Sequence, residues 1–246
     1  MTEFDGRVAL VTGASGVIGT ALAWRLAQHG AAVGVHYGSD EAAARRIVRR
    51  IESSGGQAAA LGADLSDPAA PDELIDATES ELGPVDLLLP NAGMIKPLAL
   101  EDIDAAEFDE MMAVNLRAPF LLARRAIPGM RERGWGRILF TSSVAAFTGG
   151  LVGAHYAASK AGLQAITHYL AKRLAPEGIT VNAIAPALIR DTGDKSELGD
   201  PAELAKNIPV GRLGTPAEVA DMALVMLRNA YLTNQVVLLD GGMHPR

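Results

Sequence analysis

Ser143, Tyr156 and Lys160 are the residues of this chain whose types and spacing best suit proton chemistry. Tyr156 and Lys160 stand four apart, so on a helix they share one face with Cβ atoms about 5–6 Å apart. A free phenol has a pKa of about 10 and exchanges protons poorly near neutrality. A lysine cation beside it would favour the phenolate and lower that pKa. A phenol tuned in this way, next to the Ser143 hydroxyl, could hold a carbonyl or alcohol oxygen and pass it a proton. Such a reaction also needs a group that supplies or accepts a hydride. Taken alone, Tyr-x-x-x-Lys has an ordinary alternative, a half-buried tyrosine covered by a lysine stem. The elements around it have to decide.

Residues 7–12 form a short β-branched and apolar run that reads as a buried strand. It leads into Thr12-Gly13-Ala14-Ser15-Gly16-Val17-Ile18-Gly19, and Ile18, Leu22 and Leu26 then recur at helical spacing until His29-Gly30. Strand, glycine-rich turn and helix are the context of a dinucleotide-binding loop. Glycines let the backbone approach a pyrophosphate, and the helix N-terminus offers partial positive charge. Residues 32–36 form a second strand whose end reads Val35-His36-Tyr37-Gly38-Ser39, with no carboxylate before Asp40. An acidic residue there would bind the adenosine ribose of NAD. Its absence removes a repulsion against a 2′-phosphate, to which His36 and Ser39 could donate hydrogen bonds. This favours NADP(H), with NAD(H) as the alternative.

Residues 41–54 read as a helix carrying Arg45, Arg46, Arg49 and Arg50, a solvated face with a Glu41–Arg45 pair. Residues 57–61 are a third strand followed by Asp64-Leu65, where a carboxylate could accept from an adenine amino group. Residues 68–82 are expected to be helical, capped by Asp67 with Pro68 in the first turn. A fourth strand over 85–89 ends in Pro90-Asn91-Ala92-Gly93, small residues where backbone must pass close to a ligand. Residues 104–133 form one long helix or two abutting ones. Asn115 lies inside this region, where asparagine has poor propensity, commonly explained by a local bond to backbone. The fifth strand, 136–143, ends at Ser143, and ligands of open parallel sheets bind beyond such ends. Glycine-containing turns at 148–150 and 153 then reverse the chain into the Tyr156 helix. A sixth strand spans 179–184, a long segment over 186–209 has the length of a lid or binding loop, and a helix from Thr215-Pro216 precedes a seventh strand over 235–240.

Composition bounds the function classes. About half the chain is hydrophobic, the net charge is −7, and there is no cysteine. The charge gives no help toward nucleic acid or anionic membranes, and thiol chemistry is excluded. No apolar stretch reaches the ~18 residues of a spanning helix. The five histidines lack metal-ligand spacing. The opening residues do not read as a signal peptide, so the expected location is cytoplasmic. No linker or repeat interrupts residues 1–246, which are expected to form a single domain with a substrate lid at about 186–209.

Alternating strands and helices predict an α/β, Rossmann-type doubly wound fold: a seven-stranded, mainly parallel sheet with helices on both faces. In its ordered motifs the chain resembles a classical short-chain dehydrogenase/reductase, and within that family the 3-oxoacyl-(acyl carrier protein) reductase-like members. The motifs are the 12–19 loop, Asp64-Leu65, Asn91-Ala92-Gly93, Asn115, Ser143, Tyr156-x-x-x-Lys160, Val181-Asn182…Pro186, the run 209–220 and Asp240-Gly-Gly-Met243. The resemblance implies that Tyr156 is the general acid in reduction and base in oxidation, and that Ser143 holds the substrate oxygen. Lys160 would lower the tyrosine pKa and bind the nicotinamide ribose, while Asn115 supports a water in a proton relay. It also implies a cofactor site from Gly13, Ser15, Gly16, Val17, Ile18, Gly19, His36, Tyr37, Asp64, Leu65, Asn91, Ala92, Gly93, Tyr156, Lys160, Pro186, Ile189 and Thr192. The nicotinamide supplies the hydride and the protein orients it.

Several positions depart from the family pattern. Val17 occupies the usual middle glycine of the loop, with Gly16 one earlier. Ala187 follows Pro186 where glycine is usual, and Asp191 aligns with the expected nicotinamide-contacting threonine, next to Thr192. Glu177 stands where relatives that serve acidic carrier proteins commonly have a basic residue. That change and the net charge of −7 disfavour an acidic carrier. A substrate pocket is expected from Met94, Ile95, Phe147, Leu151, Val152 and Leu188, together with Ser143 and His155. The expected partner is thus a small carbonyl or alcohol substrate, in a homotetramer or homodimer. The competing reading is a catalytically silent cofactor-binding regulator, which loss of Tyr156 or Lys160 would have signalled. An epimerase of the extended family would need a larger C-terminal substrate domain.

Overall fold

A computed structural model describes residues 2–190 and 199–244. Thr192 and Asp191 lie outside the described residues. Within them, seven strands form one sheet in the order β3-β2-β1-β4-β5-β6-β7, and the pairings are parallel throughout. The strands are β1 (Val8–Val11), β2 (Ala32–Tyr37), β3 (Ala58–Gly62), β4 (Val85–Leu89), β5 (Gly136–Thr141), β6 (Ile179–Pro186) and β7 (Val236–Leu239). Between them run α1 (Val17–Gln28), α2 (Glu41–Ser53), α3 (Ala70–Leu82), α4 (Ala105–Met112), α5 (Ala118–Glu132), the short α6 (Ala145–Thr148), α7 (Ala154–Leu174), α8 (Pro201–Ala205) and α9 (Pro216–Arg228).

The continuous apolar runs of the central strands follow from burial on both faces. Ala9 and Val11 enter one core with Leu22, Leu26, Ile47, Ile51 and Ala223, from α1, α2 and α9. Leu10, between them, enters the opposite core with Ile75, Leu122, Leu163 and Leu170, from α3, α5 and α7. Leu87 and Leu89 divide from Leu88 in the same way. A third, small cluster joins Met111, Ala145, Val152 and Tyr156, with Met94 packed on it. It lies outside the sheet, where the site is built.

The strand order reverses between β1 and β4. The crevice beyond the carboxyl ends of those strands is the ordinary ligand site of an open α/β sheet. One expectation about helices is corrected and another resolved. The third helix begins at Ala70 with Pro71 in its first turn. Asp67 instead accepts the Ala69 amide at 2.9 Å and so shapes the approach. The 104–133 region is two helices joined by a π turn, Ala113–Arg117.

Candidate active site

The crevice is held open by bonds between strand ends. Thr12 Oγ1 accepts the amides of Asn91 and Ala92, each at 3.0 Å, and Asn91 Nδ2 donates to the Thr12 carbonyl at 3.0 Å. The glycines then let two segments touch. Gly13 sits at φ +61°, and a Cβ there would lie 2.8 Å from Ala92 Cα. A Cβ at Gly19 would lie 2.2 Å from the Gly13 carbonyl oxygen. Gly16 is less constrained, its nearest neighbour being that same oxygen at 3.3 Å. Val17 is the first residue of α1. Gly16 caps α1 without a side-chain bond. The Val17, Ile18 and Gly19 amides of the first turn have no intrahelical carbonyl to meet, an arrangement that suits an anion.

At the expected adenosine end, the assignments change. His36 is buried, with both ring nitrogens bonded to backbone: Nδ1 at 3.0 Å from the Gly13 amide and Nε2 at 3.1 Å from the Ala63 carbonyl. It has no donor left for a 2′-phosphate, which corrects the sequence expectation. Asp40, the first carboxylate after β2, caps α2 by accepting the Ala43 amide at 2.8 Å. Tyr37 is half-buried against β3, its hydroxyl 2.8 Å from where a Cβ on Gly62 would stand. Asp64 is exposed. Its Oδ1 accepts the Ser66 amide and hydroxyl at 2.9 and 2.8 Å, and these bonds hold its carboxyl below the ordinary range. The Leu65 side chain belongs to the core, so only its backbone is left for a ligand.

The proton-chemistry residues converge from three places, the end of β5, α7 and the π turn. The ladder between β5 and β6 continues past the strand end. Ser142 N–H bonds the Ile184 carbonyl at 2.8 Å, and Val144 N–H bonds the Pro186 carbonyl at 3.1 Å. Ser143 is clamped between them, and the Ala145 amide fixes its Oγ at 3.1 Å. Gly153, at φ +137°, turns the chain into α7. Tyr156 is 8% exposed and Lys160, one turn on, 4%. Lys160 Nζ donates to the Thr141 carbonyl at 2.9 Å and lies 5.7 Å from the Tyr156 ring centroid. Burial pulls the ammonium down from 10.5 to about 8.

The expected lowering of the phenol pKa is not present in this state. Burial pushes Tyr156 up, and its hydrogen bond with Ser143 pulls it only partway back. The Lys160 cation is itself destabilised by burial and turned toward Thr141, so it contributes little to the phenolate.

Asn115 Nδ2 reaches Met111 Sδ one turn back at 2.9 Å, but the side chain's backbone partners are not local. The π turn, in which the Ala118 amide reaches the Ala113 carbonyl, places its side chain against Met94. Oδ1 accepts the Met94 amide at 2.7 Å and Nδ2 donates to the Met94 carbonyl at 3.0 Å. Such π turns recur at functional sites. This clasp brings the β4 end to α7: a Cβ on Gly93 would lie 3.3 Å from Lys160 Nζ and 3.4 Å from Asn115 Oδ1. Sequence reasoning missed the buried hydroxyls that support the cluster. Ser159 Oγ donates to the Tyr156 carbonyl at 2.7 Å, and Ser142 Oγ to the Lys160 carbonyl at 3.0 Å. The serine at 159, inside Tyr156-Ala-Ala-Ser-Lys160, was the available signal.

On the substrate side, Met94, Ala145 and Val152 pack around Tyr156. Ile95 and Leu151 are 48% and 66% exposed, so they form an outer lip rather than a wall. Phe147 lies on α6, the helix of the first of these turns. His155 is fully buried with neither ring nitrogen hydrogen-bonded, and it has no surface on which a substrate could bear. Pro186 ends β6, and Leu188 to Arg190 are latched to Gly214 by bonds of 3.0 and 2.8 Å, with Ile189 bridging it. Among the described residues no group of three or more His, Asp or Glu side chains could hold a metal ion, and no helix is long and apolar enough to cross a membrane.

This geometry agrees with what the chain is similar to. The family model described as enoyl-(acyl carrier protein) reductase matches residues 13–244. The 3-oxoacyl-[acyl-carrier-protein] reductase of Synechocystis sp. is 36% identical, over 99% of this chain and 99% of that protein. The uncharacterized oxidoreductase YmfI of Bacillus subtilis is 34% identical, over 97% and 99%. Among solved structures, a blue fluorescent protein from a metagenomic library in complex with NADPH superposes with a TM-score of 0.92 at 32% identity, covering 99% of this chain and 100% of that one. The chain belongs to the short-chain dehydrogenase/reductase family and is an NAD(P)-dependent oxidoreductase.

Proposed function

We propose that the chain reduces a ketone or 3-oxoacyl compound, reversibly, with NADP(H) favoured and NAD(H) possible. The observation that carries this reading is the buried Tyr156 phenol, hydrogen-bonded to Ser143 and one helical turn from Lys160. Bound nicotinamide would supply the hydride. Ser143 would hold the substrate oxygen, and Tyr156 would give it a proton. Burial keeps the phenol protonated near neutrality, which suits the reducing direction. Lys160 would hold the nicotinamide ribose, and its position beside Gly93 supports that role. Asn115 would act through Met94, fixing the segment that flanks the substrate. The amides of Val17, Ile18 and Gly19 would receive the diphosphate, with Asp64 facing the adenine and Ile189 near the nicotinamide.

The cofactor preference rests on absent repulsion. Asp40 is committed to capping α2, so no carboxylate is left to meet a 2′-phosphate at the β2 end. Among substrates, a small ketone is favoured over one carried on an acidic protein. Arg131 is neutralised by an ion pair with Glu177, and the net charge is −7. A homotetramer or homodimer is inferred from Phe108 on α4, Phe120 on α5 and Tyr169 on α7, all of which are exposed. Light scattering checks that.

The test is turnover of NADPH and NADH against a panel of ketones and 3-oxoacyl thioesters, for the natural protein and Tyr156→Phe. Turnover on a ketone that falls at least about a hundredfold in the variant, with cofactor affinity kept, supports the reading. A variant with near-normal reduction removes Tyr156 from the mechanism.

A further inference from the structure

His36 ends up as neither a ribose ligand nor a simple core residue. It is 2% exposed, yet both ring nitrogens are engaged. Nδ1 faces the Gly13 amide at 3.0 Å and Nε2 the Ala63 carbonyl at 3.1 Å. An amide N–H can only donate and a carbonyl can only accept. Nδ1 must therefore carry the lone pair and Nε2 the proton, which makes the ring a neutral imidazole in a single tautomer. The backbone carbonyl of His36 also takes the Ala14 amide, at 2.8 Å. One residue thus holds two successive amides of the glycine loop and ties that loop to the end of β3. Thr12 and Asn91 hold the same loop from the β4 side. Gly13 and Ala14 spend their amides on this anchorage, which leaves the first turn of α1 for an anion.

We propose that His36 is a positioning residue for the dinucleotide: it sets the path of the glycine loop, and so the cofactor's affinity, without touching the cofactor. The inference rests on the reading of that loop as the cofactor site. A second proton on the ring would place N–H against N–H at Gly13, and the loop would have to move. Around the ring, the β1–α1 loop contributes Gly13 and Ala14, and the end of β3 with the residue after it contributes Leu61 to Ala63, none of them charged. The first carboxylates after β2 and β3, Asp40 and Asp64, are engaged by the Ala43 amide and by Ser66. Burial disfavours an imidazolium and outweighs the Ala63 carbonyl, which favours one. The bond to Gly13 is present when His36 is neutral and is lost as pH falls through its lowered pKa.

The experiment is the affinity of the full chain for NADH between pH 5 and 8, by fluorescence titration. NADH is used because the 2′-phosphate of NADPH itself titrates near pH 6. His36→Leu removes the acceptor. His36→Asn keeps an oxygen within reach of Gly13 but cannot titrate. The proposal expects His36→Leu to weaken NADH about tenfold or more at pH 7.5, as one unsatisfied amide costs. It expects a raised cofactor KM with kcat within about twofold. It expects His36→Asn to recover most of the affinity and to lose the acid-side weakening of the natural protein. Leucine binding within twofold of the natural protein overturns it, as does an asparagine variant that keeps the acid-side weakening. If the leucine variant does not fold, the asparagine pH profile decides alone. A natural protein that binds neither NADH nor NADPH overturns the cofactor reading itself, a different outcome from either.

Discussion

Replacing Lys160 with methionine separates what the site costs from what it does. The ammonium is buried, and its partner among the described residues is the Thr141 carbonyl at 2.9 Å. Its pKa falls from 10.5 to about 8 on folding. Between those values the unfolded chain holds a proton that the folded chain has released, so stability rises with pH there. Below pH 8 both states are protonated and the folded protein carries the full cost. At about 1.4 kcal/mol per pH unit, that cost is about 3 kcal/mol. Methionine removes it with a side chain of similar length and an adaptable shape. The Thr141 carbonyl then lacks its donor, which returns about 1 kcal/mol. Lys160→Met is therefore expected to be more stable than the natural protein by about 2 kcal/mol at pH 7. The advantage should shrink to about zero near pH 9.5, as the natural protein sheds the proton. Urea unfolding of both proteins at pH 7, 8, 9 and 9.5 measures this difference directly, since other titrating groups cancel. A difference that is flat across the range, or a variant less stable at pH 7, would refute the argument that the buried ammonium is strained.

Three further outcomes are expected. Gly13→Ala and Gly19→Ala should each lose cofactor binding, because their Cβ atoms would lie 2.8 Å from Ala92 Cα and 2.2 Å from the Gly13 oxygen, whereas Gly16→Ala, whose Cβ would meet only the Gly13 oxygen in a tight contact at 3.3 Å, should keep most of it; calorimetric titration with NADPH distinguishes the three. Asn115→Ala removes both bonds to Met94 and should cost about 2–3 kcal/mol of stability and raise substrate KM, read by urea unfolding and steady-state kinetics. His155→Leu replaces a buried ring whose nitrogens have no hydrogen-bond partner. The melting temperature should hold or rise, and a fall of more than a few degrees would mean that the ring has a partner.

The legibility of the chain follows the range of the interactions. The strands were readable because a parallel sheet buried on both faces demands unbroken apolar runs, as at Leu87, Leu88 and Leu89. The glycine loop was readable because close backbone approach tolerates no Cβ. The start of α3 was misplaced because Asp67 and Pro68 make an equally good turn just before the helix.

The side-chain roles divide on the same line. Tyr156 and Lys160 share a face through local helix geometry, so their pairing could be read from spacing. The partners of His36 and Asn115 could not. Gly13 is 23 positions from His36 and Met94 is 21 from Asn115, and only strand order and the π turn bring them together. The direction of the Tyr156 shift was likewise hidden. Sequence names a cation four residues away, but burial, which belongs to the packed third cluster, sets the direction and outweighs the bond with Ser143. The sequence by itself determined the fold and offered the candidate reactive groups, because periodicity and glycine placement are local constraints. The tertiary structure alone decided which of those groups are buried, what they bond and in which direction their pKa values move, because desolvation and long-range hydrogen bonds exist only once the elements have packed.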